Sequence, residues 1–172
     1  RRDLDDIASI GADHIRIQCL WHLFQPFPDT VSATCLARLG MMLDDAAERG
    51  LDVQISVFTG FLSGFTFIPG WAAEKNIFTD AKTITAERYC INALASAVGA
   101  HRACMGFDIG NELDVLGMKG HPCSTADGDR WAAEMLALCS ELMPGKVHVN
   151  GIDHWPWFRD YMFSRRGHAL SG

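Results

Sequence analysis

The chain has 172 residues and a formal net charge of −6. That length suits one sizeable domain and is short for two ordinary ones. Its acid excess leaves no basic surface for nucleic acid or an anionic membrane. Apolar residues make up 48% of it, enough for a core, yet no apolar run approaches the roughly 18 residues a bilayer span needs.

Leu4, Ile7, Ala8 and Ile10 recur at helical spacing, and Gly11 can stop that helix. His14 to Leu20 reads as a strand. Ser32 can cap a helix that carries Leu36, Leu39, Leu43, Ala46 and Ala47 on one side, with Asp44, Asp45, Glu48 and Arg49 outward. Val53 to Phe58 is the next strand. A loop from Thr59 to about Lys82 follows, rich in Gly, Phe, Pro and Trp, and structureless loops of such length are usually functional. A helix predicted over 85–98 leads into the run Cys104-Met105-Gly106-Phe107-Asp108-Ile109-Gly110. After a second polar loop, Trp131, Met135, Leu138 and Leu142 mark another amphipathic helix. Val147 to Asn150 starts a further strand.

Strands alternating with helices at intervals of about 40 residues point to right-handed βαβ units and a parallel sheet. An open doubly wound sheet and a closed barrel both fit. No strand is followed by G-x-G-x-x-G or a P-loop, which weakens the nucleotide-binding forms. The barrel is favoured by where polar and aromatic residues fall. Trp21-His22, Thr59-Gly60, Asn111-Glu112 and Asp153-His154-Trp155 all stand just past strand ends, and in a barrel those loops share one mouth.

Asn111-Glu112 is the most pointed of these. A carboxylic acid leaving a run of apolar residues is partly withdrawn from water, which suits a proton donor. Trp21, Trp71 and Trp155 offer flat apolar rings for stacking a pyranose, although rings on such loops also serve to roof a barrel. His154 can donate a hydrogen bond at a sugar subsite. The six cysteines show neither C-x-x-C nor framework spacing and read as packed free thiols. His22, His121, His148 and His154 show no H-x-H or H-E-x-x-H pattern, so no metal or other cofactor is expected. His148, inside a strand, reads as structural. Asp153 and His154 with Glu112 form the alternative set, for a metal-dependent barrel hydrolase.

Ile15-Arg16-Ile17 with Trp21, Phe58-Thr59-Gly60 with Ser63-Gly64 and Pro69-Gly70-Trp71, and Phe107-Asp108-Ile109-Gly110-Asn111-Glu112 resemble the cellulase/mannanase-type glycoside hydrolases of clan A, nearest to family five. The resemblance implies a (β/α)8 TIM barrel. Residues 1–172 would form a single partial catalytic domain, roughly half of that barrel (about its second to fifth strands), with the remainder supplied by chain not included here. It implies cleavage of β-glycosidic bonds in an oligo- or polysaccharide, with retention and without a cofactor. Glu112 would be the general acid/base, Asn111 would hold the sugar 2-hydroxyl, and Arg16 would keep the nucleophilic carboxylate ionised and oriented.

The family's nucleophile is a Glu at the end of the seventh strand, and no residue here matches it. Asp108 is expected to face away from the mouth by strand alternation, and Asp153 is the one geometric substitute. The isolated chain is therefore expected to have little activity. Many members also place a His at the third strand end, where this chain has Phe58-Thr59-Gly60-Phe61. A half barrel should expose two sheet edges and an apolar interior flank, and so self-associate. The rival reading is a non-catalytic carbohydrate-binding barrel without a working nucleophile.

Overall fold

Side-chain alternation along three parallel strands gives this chain a sheet with two unlike faces. The computed structural model describes residues 2–153 and 158–165. In chain order the elements are α1 (Arg2–Ser9), β1 (His14–Leu20), α2 (Trp21–Phe24), α3 (Ala33–Ala47), β2 (Asp52–Thr59), β3 (Phe61–Leu62), β4 (Phe65–Thr66), α4 (Ala81–Leu94), β5 (Cys104–Gly110), α5 (Val115–Met118) and α6 (Thr125–Leu142). The predicted 85–98 helix is α4 continued by a π-helical turn over Ala95–Gly99. As expected, Ser32 caps α3, its hydroxyl accepting the Cys35 N–H at 3.3 Å.

β1, β2 and β5 pair in that order, all parallel. Beyond β5 the predicted strand at 147–150 appears as one bridge, Asp108 to Val149, with backbone bonds Val147 N–H to Met105 O, Val149 N–H to Phe107 O and Ile109 N–H to Val149 O at 2.9–3.0 Å. Spatial order thus follows chain order across the sheet, as in a barrel, rather than reversing as in a doubly wound sheet. Gly106 makes this approach possible: its φ is +146°, and a Cβ there would strike the Val147 backbone.

One face carries Ile15, Ile17, Val53, Ile55, Val57, Phe107 and Ile109. These join Leu39 and Leu43 of α3, Ile91 and Leu94 of α4, and Met135 and Leu138 of α6 in a single core. The other face carries Arg16, Gln18, Gln54, Ser56, Thr59 and Asp108. The interior flank is therefore polar, contrary to the expectation of an apolar one. Apolar exposure lies instead beside the edge of β1 that no described strand pairs with, where Leu4, Ile7, Ile15, Ile17, Met41 and Met42, together with charged side chains of Arg16, Arg38 and Asp45, line a groove of about 660 Å³. All six cysteines are free thiols. Burial pushes those of Cys19 and Cys139 up to about 12. Among the described residues no helix is long and apolar enough to cross a membrane.

Candidate active site

Arg16 and Gln18 of β1 share the polar face of the sheet, Asn111 meets Gln18 there just past the end of β5, and Glu112 is the next residue. β5 ends at Gly110, and Glu112 adopts φ of +47°, a left-handed backbone uncommon for a side chain of its size. That turn ends strand alternation, so the parity of Glu112 says nothing about Asp108. Glu112 is half-buried. Its backbone carbonyl accepts the Val115 N–H at 3.0 Å, which starts α5. Non-glycine residues in this region tend to occur at functional sites, where strain of about 1–3 kcal/mol is carried by the surroundings.

Asn111 is 4% exposed and held from two sides. Its Nδ2 donates to the Phe61 carbonyl at 2.9 Å, and its Oδ1 accepts from Gln18 Nε2 at 3.4 Å. Thr59 Oγ1 in turn donates to Gln18 Oε1 at 2.8 Å. An unbroken chain of bonds thus runs from β2 through β1 to the tip of β5, fixing the amide beside Glu112. Thr59 can take part because β2 carries an extra residue: Gln18 faces Ser56 but Leu20 faces Thr59. The bulge turns Thr59 to the polar side.

Arg16, read from the sequence as the cation that holds the nucleophilic carboxylate, already has a carboxylate of this chain beside it. Its guanidinium forms an ion pair with Asp108 and lies 3.4 Å from both Ser56 Oγ and the Gly110 carbonyl. The expectation that Asp108 faces away from the site is corrected by this contact, since Asp108 shares the inner face with Arg16 and Ser56. Its carboxylate also accepts the Gly110 N–H at 3.2 Å. Burial pushes the Asp108 carboxyl above its ordinary range, against the opposing pull of Arg16.

The aromatic expectations divide. Trp21 is 1% exposed, its N–H donates to Gln25 Oε1 at 2.9 Å, and its ring packs on Phe58 and edge-on to Trp71. It is a core residue and presents no face to a sugar. Trp71 is half-buried, and its N–H donates to the Gln25 carbonyl at 3.1 Å. His154, on which the metal alternative also rests, and Trp155 lie outside the described residues. His148 is structural: Nδ1 accepts the Phe107 N–H at 3.1 Å while Nε2 faces the Met143 carbonyl, and burial holds its pKa below the usual histidine value. Asp153 is joined to the buried Asp114, whose Oδ1 accepts its backbone N–H at 2.6 Å.

Sequence reasoning missed Gln18 and Ser56. Gln18 was legible, two residues beyond Arg16 and hence on the same face. Thr59 was expected at the mouth, but its bond to Gln18 was not legible, because a bulge leaves no mark in the pattern. Gln25 was missed too: buried, it ties α2 to α4 through its Nε2 and the Ala86 carbonyl at 2.7 Å.

No protein-family model and no curated protein matches the chain. Among solved structures it is similar to a GH5_18 variant of Streptomyces cattleya in complex with Manβ1-4GlcNAc, with 30% identity and a TM-score of 0.93 over 99% of this chain and 43% of that one. It is also similar to a GH5_18 protein of Bifidobacterium longum subsp. infantis, with 27% identity and a TM-score of 0.88 over 95% of this chain and 40% of that one. A third similar structure is an exo-β-1,4-mannosidase of Opitutaceae bacterium strain TAV5, with 31% identity and a TM-score of 0.86 over 95% of this chain and 29% of that one. The chain thus spans less than half the length of these structures. Its parallel strands, their order and these likenesses agree: it is part of a (β/α) barrel of the clan A glycoside hydrolases, nearest to family five.

Proposed function

We propose that this chain carries the acid/base half of a retaining β-glycosidase acting on short β-1,4-mannosides such as Manβ1-4GlcNAc. The observation that carries the reading is Asn111-Glu112 at the C-terminal tip of β5, in a chain that follows a sugar-bound GH5_18 structure over 99% of its length. The exo-β-1,4-mannosidase among the similar structures supports the choice of sugar.

In this reading Glu112 protonates the leaving oxygen and then takes a proton from the incoming water. The Asn111 amide, already oriented by Gln18 and Phe61, meets the 2-hydroxyl, a contact that strengthens as the ring gains oxocarbenium character. Arg16 lies on the floor beneath and favours an ionised nucleophile. The nucleophile is a Glu on a strand outside these residues, about 5–5.5 Å from Glu112 as retention requires. The 172 residues alone are then expected to turn over little.

The test is hydrolysis of aryl β-mannosides and Manβ1-4GlcNAc by the protein carrying the remaining strands. Glu112→Ala should lower turnover by about 10²–10⁴-fold on substrates with poor leaving groups. With a dinitrophenyl leaving group, azide should restore turnover and yield a β-mannosyl azide. Full activity in Glu112→Ala, or an inverted product, would refute the reading. Binding of Manβ1-4GlcNAc without hydrolysis would favour the non-catalytic sugar-binding alternative instead.

A further inference from the structure

We propose that Asp108 is a positioning residue, which aims the Arg16 guanidinium at the nucleophilic carboxylate and ties that aim to the segment following β5. The inference rests on the retaining-glycosidase reading above. Arg16 sits on the edge strand of the described sheet, with its side chain 41% exposed, whereas that of Asp108 is 2% exposed. A long flexible cation at an open edge would ordinarily sample many rotamers. Here Nη2 of the guanidinium pairs with the Asp108 carboxylate and lies 3.4 Å from both Ser56 Oγ and the Gly110 carbonyl. Nη1 and Nε have no hydrogen-bond partner among the described residues, which leaves them for a further carboxylate.

The second half of the device is Gly151. A Cβ at that position would lie 2.7 and 2.9 Å from the two Asp108 oxygens, so this backbone passes directly over the carboxylate. Its own carbonyl accepts the Leu113 N–H at 3.0 Å. Asp108 therefore joins β1, the tip of β5 and the chain leading to Asp153. Arg16 cannot move without disturbing the residue three places before Asn111. Misplacement by about 1 Å of a group that orients a reacting atom costs on the order of 100-fold in rate, so a clamp of this kind would act on chemistry rather than on sugar binding.

The experiment reads the nucleophile directly, in the protein carrying the remaining strands, by the rate of covalent labelling with 2-deoxy-2-fluoro-β-mannosyl fluoride followed by intact mass. Fluoride departs without a proton donor, so the labelling rate reports on the nucleophile and the groups that orient it. Asp108→Asn should label about 100-fold more slowly at saturating reagent, with little change in the concentration for half-maximal rate. Arg16→Met/Asp108→Asn should be no slower than Arg16→Met alone, since residues acting as a unit are not additive.

The cation left unpaired in Asp108→Asn is a threat to its folding. Arg16→Met/Asp108→Leu then replaces the pair by apolar groups, which restores stability where a charge pair is only a clamp. That variant should melt near the wild type and still label about 100-fold more slowly. Wild-type labelling in either folded Asp108 variant would overturn the proposal. Failure of the wild type itself to label would instead refute the retaining reading on which the proposal stands.

Discussion

The two faces of one sheet divide the work of this molecule. On the helix side Val53, Ile55, Val57, Phe107 and Ile109 are each no more than 0% exposed. On the other side the same strands carry Arg16, Gln18, Ser56, Thr59 and Asp108, satisfied chiefly by one another. Burial of apolar area on the first face supplies stability, whereas the second holds polar groups in fixed geometry at some cost. The carboxyls buried in each region sharpen the difference. Asp108 has a cation and two flanking strands to hold it. Among the described residues Glu87, in the helical layer, has the Trp131 N–H at 2.8 Å on one oxygen and no hydrogen-bond partner on the other.

Truncating the helix-side face should have the largest effect on stability. Phe107 is 0% exposed and packs among residues of the core, so Phe107→Ala is expected to cost about 3–5 kcal/mol by urea denaturation. A loss below about 1 kcal/mol would mean that the sheet is not held mainly from its helix side.

Glu87 offers a smaller effect with a distinctive sign. Burial holds its carboxyl well above its ordinary value of 4.5. The unfolded chain releases this proton near the ordinary value, while the folded chain keeps it to higher pH. Between those two points the unfolded state binds fewer protons, so the contribution is complete at acid pH and is lost as pH rises. Glu87→Gln stays neutral and keeps an acceptor for Trp131. It should therefore gain on the wild type steadily from about pH 4.5 upward. Melting curves across that range check this; a parallel pair of profiles would mean the carboxyl is solvated in the folded protein.

Much of this arrangement was legible in residues alone, because it rests on local periodicity. The α3 cap at Ser32, the apolar runs of β2 and β5, and the polar tip at Asn111-Glu112 all follow from propensity and spacing. What escaped depended on through-space events. The bulge that turns Thr59 inward and the left-handed Glu112 that ends alternation each break the period on which the reading relied. The assignment of Asp108 to the wrong side came from carrying that period past Gly110. Trp21 failed for a different reason: a tryptophan past a strand end looks the same in sequence whether it roofs the core or faces a ligand. Only the Gln25 side chain that takes up its N–H, and Phe58 against its ring, decide the matter.

The smallest expected effect lies one residue from one of the largest. Gln54 and Ile55 are neighbours on β2, half-buried and buried respectively, and the pleat sends them to opposite faces. Among the described residues the Gln54 side chain makes one long bond, to the Val147 carbonyl, 3.4 Å from its Nε2. Ile55 is 0% exposed and belongs to the core. Gln54→Ala should change stability by no more than about 0.5 kcal/mol, whereas Ile55→Ala should cost about 2–5 kcal/mol. Urea midpoints for the two variants in the 172-residue chain would settle the contrast. Equal losses would place a second core on the polar face, and the division of labour between the two sides of the sheet would then have to be abandoned.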